Sequence, residues 1–200
     1  MTTSNKYKII GLAGTLAAGK DTVGNLLSKK HGYLHVSTGD ALRAEKKRVF
    51  GDSPEALLVR NDPYANKLRT ERGPGVLVEL AYEEYKRRAD EFPGGLIASG
   101  IRSIGEAEKI KELGGIIVFV DADSKLRYER ITGRGRDVND SGVTYEQFMA
   151  MEKSESDVDP VDKTIQNIPA MKDRADIILD NNGSDLKAFE DRAEEALGLK

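Results

Sequence analysis

The chain has 200 residues, with 31 lysines and arginines against 34 aspartates and glutamates and a formal net charge of −3. That length can bury one sizeable core, and the nearly balanced charges argue against general disorder and against non-specific nucleic-acid binding through a basic surplus. No cysteine is present, which excludes a disulfide framework, Cys-ligated zinc and a thiol nucleophile.

In chain order, residues 7–13 read as a strand buried on both faces, because Ile9, Ile10 and Leu12 leave no polar alternation. Lys6 and Lys8 ahead of this apolar run superficially resemble a secretory leader, but Gly11, Gly14 and Gly19 dilute it and Lys20-Asp21 close it. A helix is predicted over 20–30, a second strand over 33–36 and a helix over 40–50. Further strands are expected at 96–99, 116–121 and 175–179, with helices at 104–113, 124–132 and 185–197. Alternating strands and helices predict an α/β fold with a parallel sheet. Residues 51–93 carry a helical pattern cut by Pro54, Pro63 and Pro74 and read as a helical insert. Residues 133–160 are polar and acidic with Gly133, Gly135 and Gly142, and read as a mobile flap. No stretch approaches the roughly 20 apolar residues of a membrane span.

The strongest chemical signal is Gly14-Thr15-Leu16-Ala17-Ala18-Gly19-Lys20-Asp21-Thr22, between a predicted strand and a predicted helix. Glycines let such a loop turn its backbone N–H groups inward around a phosphate, and the helix N-terminus adds positive potential. Lys20 supplies a mobile charge for the β- and γ-phosphates. A Ser or Thr normally follows that lysine to ligate Mg²⁺; here Asp21 intervenes and Thr22 comes one residue later. The strict pattern fails by that one position.

Ser37-Thr38-Gly39-Asp40-Ala41-Leu42-Arg43 follows the second strand. Its small polar residues can cap a helix, and strand C-termini also form the ligand crevice of an open α/β sheet. Ser99-Gly100-Ile101-Arg102 ends the third strand, where Arg102 can fork onto an anionic phosphate. Ser103 and Glu106 then have capping-box spacing, which gives Glu106 a structural task beside any part in base recognition. Arg127, Arg130, Arg134 and Arg136 lead into the flap. Arg127 reads as a solvated surface residue, whereas arginines at the flap hinge can close over transferring phosphates. His31 and His35 read as structural or surface residues.

Residues 37–43 resemble the nucleotide-acceptor motif of adenylate kinases, Ser-Thr-Gly-Asp-x-Leu-Arg. Ser99-Gly100-Ile101-Arg102 resembles their Asp-Gly-Phe-Pro-Arg motif shortened by one residue, and Arg130-Ile131-Thr132-Gly133-Arg134 resembles the Arg-Ile-x-Gly-Arg at the start of their lid. In length and order the chain is similar to the adenylate-kinase-like and dephospho-CoA-kinase-like P-loop kinases. They share the Gly-Ile-Arg-Ser segment, an Arg-Gly-Arg near the lid and the late Asn181-Asn182-Gly183-Ser184 turn. The Gly-Lys-Asp-Thr loop also resembles phage deoxynucleoside monophosphate kinases.

This resemblance implies one three-layer α/β/α P-loop kinase domain over residues 1–200, with a five-stranded parallel sheet. It would carry an acceptor-binding insert at about 39–93 and a short lid at about 133–160. ATP would be the co-substrate and Mg²⁺ the metal. Gly14, Thr15, Ala17, Ala18, Gly19, Lys20, Asp21 and Thr22 would hold the ATP phosphates. Arg130, Asn182 and Gly183 would complete the donor site. Thr38, Arg43, Gly100, Arg102 and Glu106 would bind the acceptor. Lys20, Asp40, Arg102, Arg134 and Arg136 would serve catalysis, with Thr22 and Asp40 near the metal.

Two departures matter. Glu106 stands about where adenylate kinases place a glutamine that reads adenine, and a carboxylate cannot donate to adenine N1 unless protonated. Ser99 stands where the family commonly has an aspartate near Mg²⁺, so either Asp40 or Asp21 compensates or water and phosphate hold the metal. The expected activity is γ-phosphoryl transfer from ATP to a nucleoside or deoxynucleoside monophosphate. Dephospho-CoA kinase is the alternative, and a nucleotide-binding regulatory ATPase the third reading. The expected partners are small-molecule nucleotides, with no nucleic acid and no membrane. A cytoplasmic monomer is expected, with a dimer as the alternative.

Overall fold

The computed structural model describes residues 5–52, 61–134, 143–156 and 162–200. Five strands, β1 (Ile9–Gly14), β2 (Tyr33–Ser37), β3 (Gly95–Ile101), β4 (Ile116–Asp121) and β5 (Ile177–Asp180), form one sheet in the order β2-β3-β1-β4-β5. Every strand pair is parallel, with Ile10 beside Ile97 on one side and Ile116 on the other. β1 is buried along its whole length, which explains its continuous apolar run.

Side chains alternate between the two faces of the sheet. Ile10, Leu12, Ile97, Val118 and Val120 face α1 (Lys20–His31) and the last helix, α9 (Leu186–Ala196). Leu96, Ala98, Ile117 and Phe119 face the opposite layer. That layer includes α2 (Thr38–Phe50), α3 (Asn61–Arg72), α4 (Val76–Arg87), α5 (Ile104–Glu112) and the short α8 (Ile168–Asp173). Helices therefore cover both faces, giving the three-layer α/β/α arrangement. Each fully buried Leu, Ile, Val or Phe in these layers stabilises the fold by about 1.5–3 kcal/mol. His31 Nε2 lies 2.7 Å from Glu194 Oε1, tying the end of α1 to α9, so this histidine has a structural position.

The predicted strands and most helices occur within two or three residues of their expected bounds. Helices α3 and α4 stand inside the segment read as helical. Two elements were not foreseen. The presumed flap contains a helix, α7 (Tyr145–Ser156), that packs beside α6 (Ser124–Arg134). Thr144 and Gln147 cap it reciprocally: Gln147 N donates to Thr144 Oγ1 (3.2 Å) and Thr144 N to Gln147 Oε1 (2.8 Å). Tyr145 and Phe148 then stack against Tyr128 of α6. The Thr-x-x-Gln spacing at 144–147 is the local signal for this helix start, within a segment whose composition is acidic and polar. The second element, α8, is too short for helical periodicity to register. Its start is set by the Asn167 side chain, which accepts from Ala170 N at 3.0 Å. Among the described residues no helix is long and apolar enough to cross a membrane.

Candidate active site

β1, β2 and β3 end side by side, and the loops that follow them carry the polar residues singled out in the sequence. The loop from Gly14 to Gly19 links β1 to α1 and turns through positive φ at Gly14 (137°), Ala17 (58°) and Gly19 (111°). A left-handed alanine is strained by about 1 kcal/mol, the kind of cost that persists where a loop's shape serves a site. Gly19, the N-cap of α1, offers no side-chain hydrogen bond to the helix, so no side-chain oxygen of its own competes with an anion there. Lys20 Nζ donates to the carbonyls of Gly14 (2.9 Å) and Thr15 (2.6 Å), holding its charge beside the loop. Asp21 is exposed and Thr22 half-buried in the first turn of α1.

On the acceptor side, Ser37 caps α2. Its Oγ accepts from Asp40 N (2.9 Å) and donates to Asp40 Oδ2 (2.6 Å). Arg43 donates to the other carboxylate oxygen at 2.5 Å. The Ser37 hydroxyl, aided by Arg43 and outweighing desolvation, holds the Asp40 carboxyl below the usual range. Thr38 is buried, and its hydroxyl donates to Gly100 O at 3.1 Å, tying the start of α2 to the end of β3.

Arg102 follows β3. Its guanidinium donates to Gln166 Oε1 at 3.2 Å, and its carbonyl accepts from Asn167 N at 2.7 Å. Residues 166 and 167, which the sequence reading passed over, therefore hold Arg102 from a distant part of the chain. Glu106 is only 1% exposed. One oxygen accepts from the N–H groups of Arg102 (2.8 Å) and Ser103 (3.3 Å), and the other pairs with Arg69 at 3.3 Å. The capping box is complete, and the carboxylate is committed to it and to Arg69.

His35 has a structural position, as expected of it. Its Nε2 lies 2.9 Å from Ser99 Oγ, under the first turns of α1. A Cβ on Gly24 would stand 2.4 Å from the imidazole, so only glycine lets α1 pass over this ring. Burial lowers the His35 pKa, against the opposing pull of Asp21 and Asp40. Sequence patterning could not bring His35 to Ser99, because the strands bearing them are separated by the insert.

Arg127 is corrected outright: it is 5% exposed, not solvated. It donates to Ala122 O (2.8 Å) and Leu16 O (3.4 Å) and forms a two-pronged pair with Glu152 on α7. A buried guanidinium thus joins the phosphate loop to the flap helix. Arg130 donates to Asn181 O at 2.7 Å. Asn182 spans two turns, accepting from Asp123 N and donating to Asp180 Oδ2, each at 2.6 Å, while Gly183 is exposed. Arg134 ends α6, and Arg136 lies outside the described residues, as do 135–142 and 157–160 of the expected lid.

A glycine-flanked loop from a buried strand into a helix that starts with lysine, on a five-stranded parallel sheet, is the framework of a P-loop kinase, and residues 10–158 match the family described as AAA domain. The chain belongs to this P-loop family. Relatives resemble it over most of its length. A UPF0200 protein from Sulfurisphaera tokodaii is 31% identical over 192 residues, covering 95% of this chain and 96% of that protein. An adenylate kinase from Encephalitozoon cuniculi is 28% identical over 159 residues, covering 76% and 82% respectively. The crystal structure of TT1252 from Thermus thermophilus aligns with a TM-score of 0.56 at 23% identity, over 94% of this chain and 95% of that one, and shows the same fold. The protein is thus a nucleoside-monophosphate-kinase-like P-loop protein with a kinase-like fold.

Proposed function

We propose that this P-loop protein transfers the γ-phosphoryl group of ATP to the phosphate of a nucleoside or deoxynucleoside monophosphate. The observation that carries this reading is the state of Asp40. Both of its oxygens are engaged, by Ser37 and Arg43, and its pKa is lowered. A carboxylate so held is a weak proton acceptor, since a general base works best with a pKa near the operating pH. An alcohol acceptor calls for such a base. A phosphate acceptor is already ionised and needs positioning and charge neutralisation instead.

In this reading Lys20 and the backbone N–H groups at the start of α1 hold the donor phosphates. Arg43, in the second turn of α2, and Arg102, just after β3, orient the acceptor phosphate, with Gln166 steadying Arg102. Arg130 belongs to the donor side, and Arg134 and Arg136 to the lid. The hydroxyl of Thr22 and the exposed carboxylate of Asp21 are hard oxygen donors at the loop's mouth. They fit Mg²⁺, which keeps several waters and takes few protein ligands beside phosphate oxygens. Bound there, the ion would neutralise charge on the β- and γ-phosphates. Asp40, engaged by Ser37 and Arg43, fits that role less well. The proposed partners are dissolved nucleotides, and the proposed working unit is a cytoplasmic monomer.

The test is ATP consumption against a panel of ribo- and deoxynucleoside monophosphates and dephospho-CoA. Turnover with one or more monophosphates is expected. Turnover with dephospho-CoA alone would transfer the reading to a hydroxyl acceptor, and consumption indifferent to every acceptor would make the protein an ATPase. The relatives named adenylate kinase support a nucleotide acceptor, while the commitment of Glu106 to its cap and to Arg69 leaves the choice of base to other residues.

A further inference from the structure

We propose that Asn181 is a positioning residue for the donor site: its side-chain amide holds the Ala18–Gly19 peptide in the orientation that turns the Gly19 N–H toward the phosphates. This inference rests on the P-loop kinase reading above and adds a residue to it.

Asn181 follows β5 directly, and its own N–H donates to Asp121 O at 2.8 Å, so the backbone is anchored to the end of β4. The side chain is turned inward. Asn181 is 9% exposed, and its Nδ2 donates to Ala18 O at 2.7 Å, a buried contact between residues 163 positions apart. An amide oxygen there would face a carbonyl oxygen, so the nitrogen must face Ala18. Because a trans peptide is planar, its C=O and N–H point in opposite directions. Drawing the Ala18 carbonyl toward Asn181 therefore directs the Gly19 N–H away from it, toward the concave side of the loop. Such N–H groups make the anion cradle.

The neighbouring residues are shaped around this contact. Gly19 has φ 111°, and a Cβ there would stand 2.4 Å from Asn181 Nδ2. The glycine at this position thus serves the close approach of Asn181 as well as the turn itself. The Asn181 carbonyl also accepts from Arg130 at 2.7 Å. One residue therefore holds the loop through its side chain and Arg130 through its backbone. A change of side chain removes only the first of these tasks.

The experiment uses the full chain with Asn181→Ala and the nearly isosteric Asn181→Asp. ATP affinity is read by calorimetry with a non-hydrolysable analogue, and the KM values for ATP and for the accepted monophosphate come from turnover. Asn181→Ala should weaken ATP binding and raise the KM for ATP about tenfold, roughly the loss of one buried hydrogen bond. The acceptor KM should stay within about twofold. Asn181→Asp should be no better than Ala, because it sets a carboxylate oxygen against the Ala18 carbonyl. It also carries the test if the alanine variant does not fold. A merely structural residue would lower the melting temperature and the active fraction while leaving the KM for ATP unchanged. That result overturns the proposal, as does an equal rise in both KM values or full activity in Asn181→Asp. A wild-type chain that binds no ATP overturns the kinase reading along with this inference. Wild-type binding with unaltered variants overturns this inference alone.

Discussion

Replacing Glu106 with glutamine separates the two tasks that its position suggests, capping a helix or reading a base. The carboxylate accepts two backbone N–H groups and the Arg69 guanidinium, whose side chain is only 10% exposed. Arg69 also donates to Asn66 Oδ1 at 3.1 Å, but Glu106 is its acidic partner, and its Nε is buried without a hydrogen-bond partner. Glutamine has a single oxygen, so keeping it for the cap turns an amide donor toward the guanidinium. Weakening a hydrogen bond to a buried charge in this way costs about 1–3 kcal/mol. Alanine removes all three contacts and leaves the cation unpaired, at about 3–5 kcal/mol. For a domain of this size each kcal/mol lowers the melting temperature by about 2–4 °C. Urea unfolding and melting of Glu106→Gln, run beside the acceptor panel, should show reduced stability with an unchanged order of acceptor preference. A switch of preferred base with stability intact would refute the reasoning and restore Glu106 as the residue that reads the acceptor.

Four other variants have expected outcomes. Lys20→Ala should reduce kcat by more than about 10³ with little change in melting, whereas Arg43→Ala should chiefly raise the acceptor KM; an unchanged KM would remove Arg43 from that role. Arg127→Ala withdraws the partner of Glu152 and two hydrogen bonds from the Ala122 and Leu16 carbonyls. It should cost about 2–4 kcal/mol and speed proteolysis within residues 143–156, and protection equal to wild type would show that the pair does not hold α7. The lowered pKa of His35 makes the unfolded chain bind the extra proton first as pH falls. Its stabilising contribution is therefore full above the ordinary value of 6.5 and is lost as pH drops below it. Denaturation midpoints of His35→Asn should fall less steeply than wild type from about pH 6.5 to pH 5.

Legibility in the sequence followed the range of the physical signal. The loop at 14–22 was readable because its chemistry is contiguous: glycines, a lysine and a helix start must adjoin for backbone N–H groups to surround a phosphate. The Ser103–Glu106 box was readable for the same reason, since a cap spans one helical turn. Arg127 was misjudged because its partner Glu152 is on another helix, and nothing local distinguishes a buried arginine from a solvated one. The helix α7 was missed because its stabilising ring contacts reach across to Tyr128 of α6.

By itself, the sequence determined an α/β chain without cysteine chemistry and with a P-loop after its first strand. Period-two and helical patterning, and contiguous loop chemistry, are local properties. The tertiary structure alone decided that Asn181 reaches Ala18 and that Gln166 meets Arg102. It also decided that His35 meets Ser99 and that Glu106 serves Arg69. Each of those pairs joins residues from separate elements, which meet only when the parallel sheet sets its strand ends side by side. The near-neutral net charge of −3 says nothing of where the individual arginines stand, such as Arg102 just after β3 or Arg127 buried against Glu152, a distribution that no sum over the chain can express.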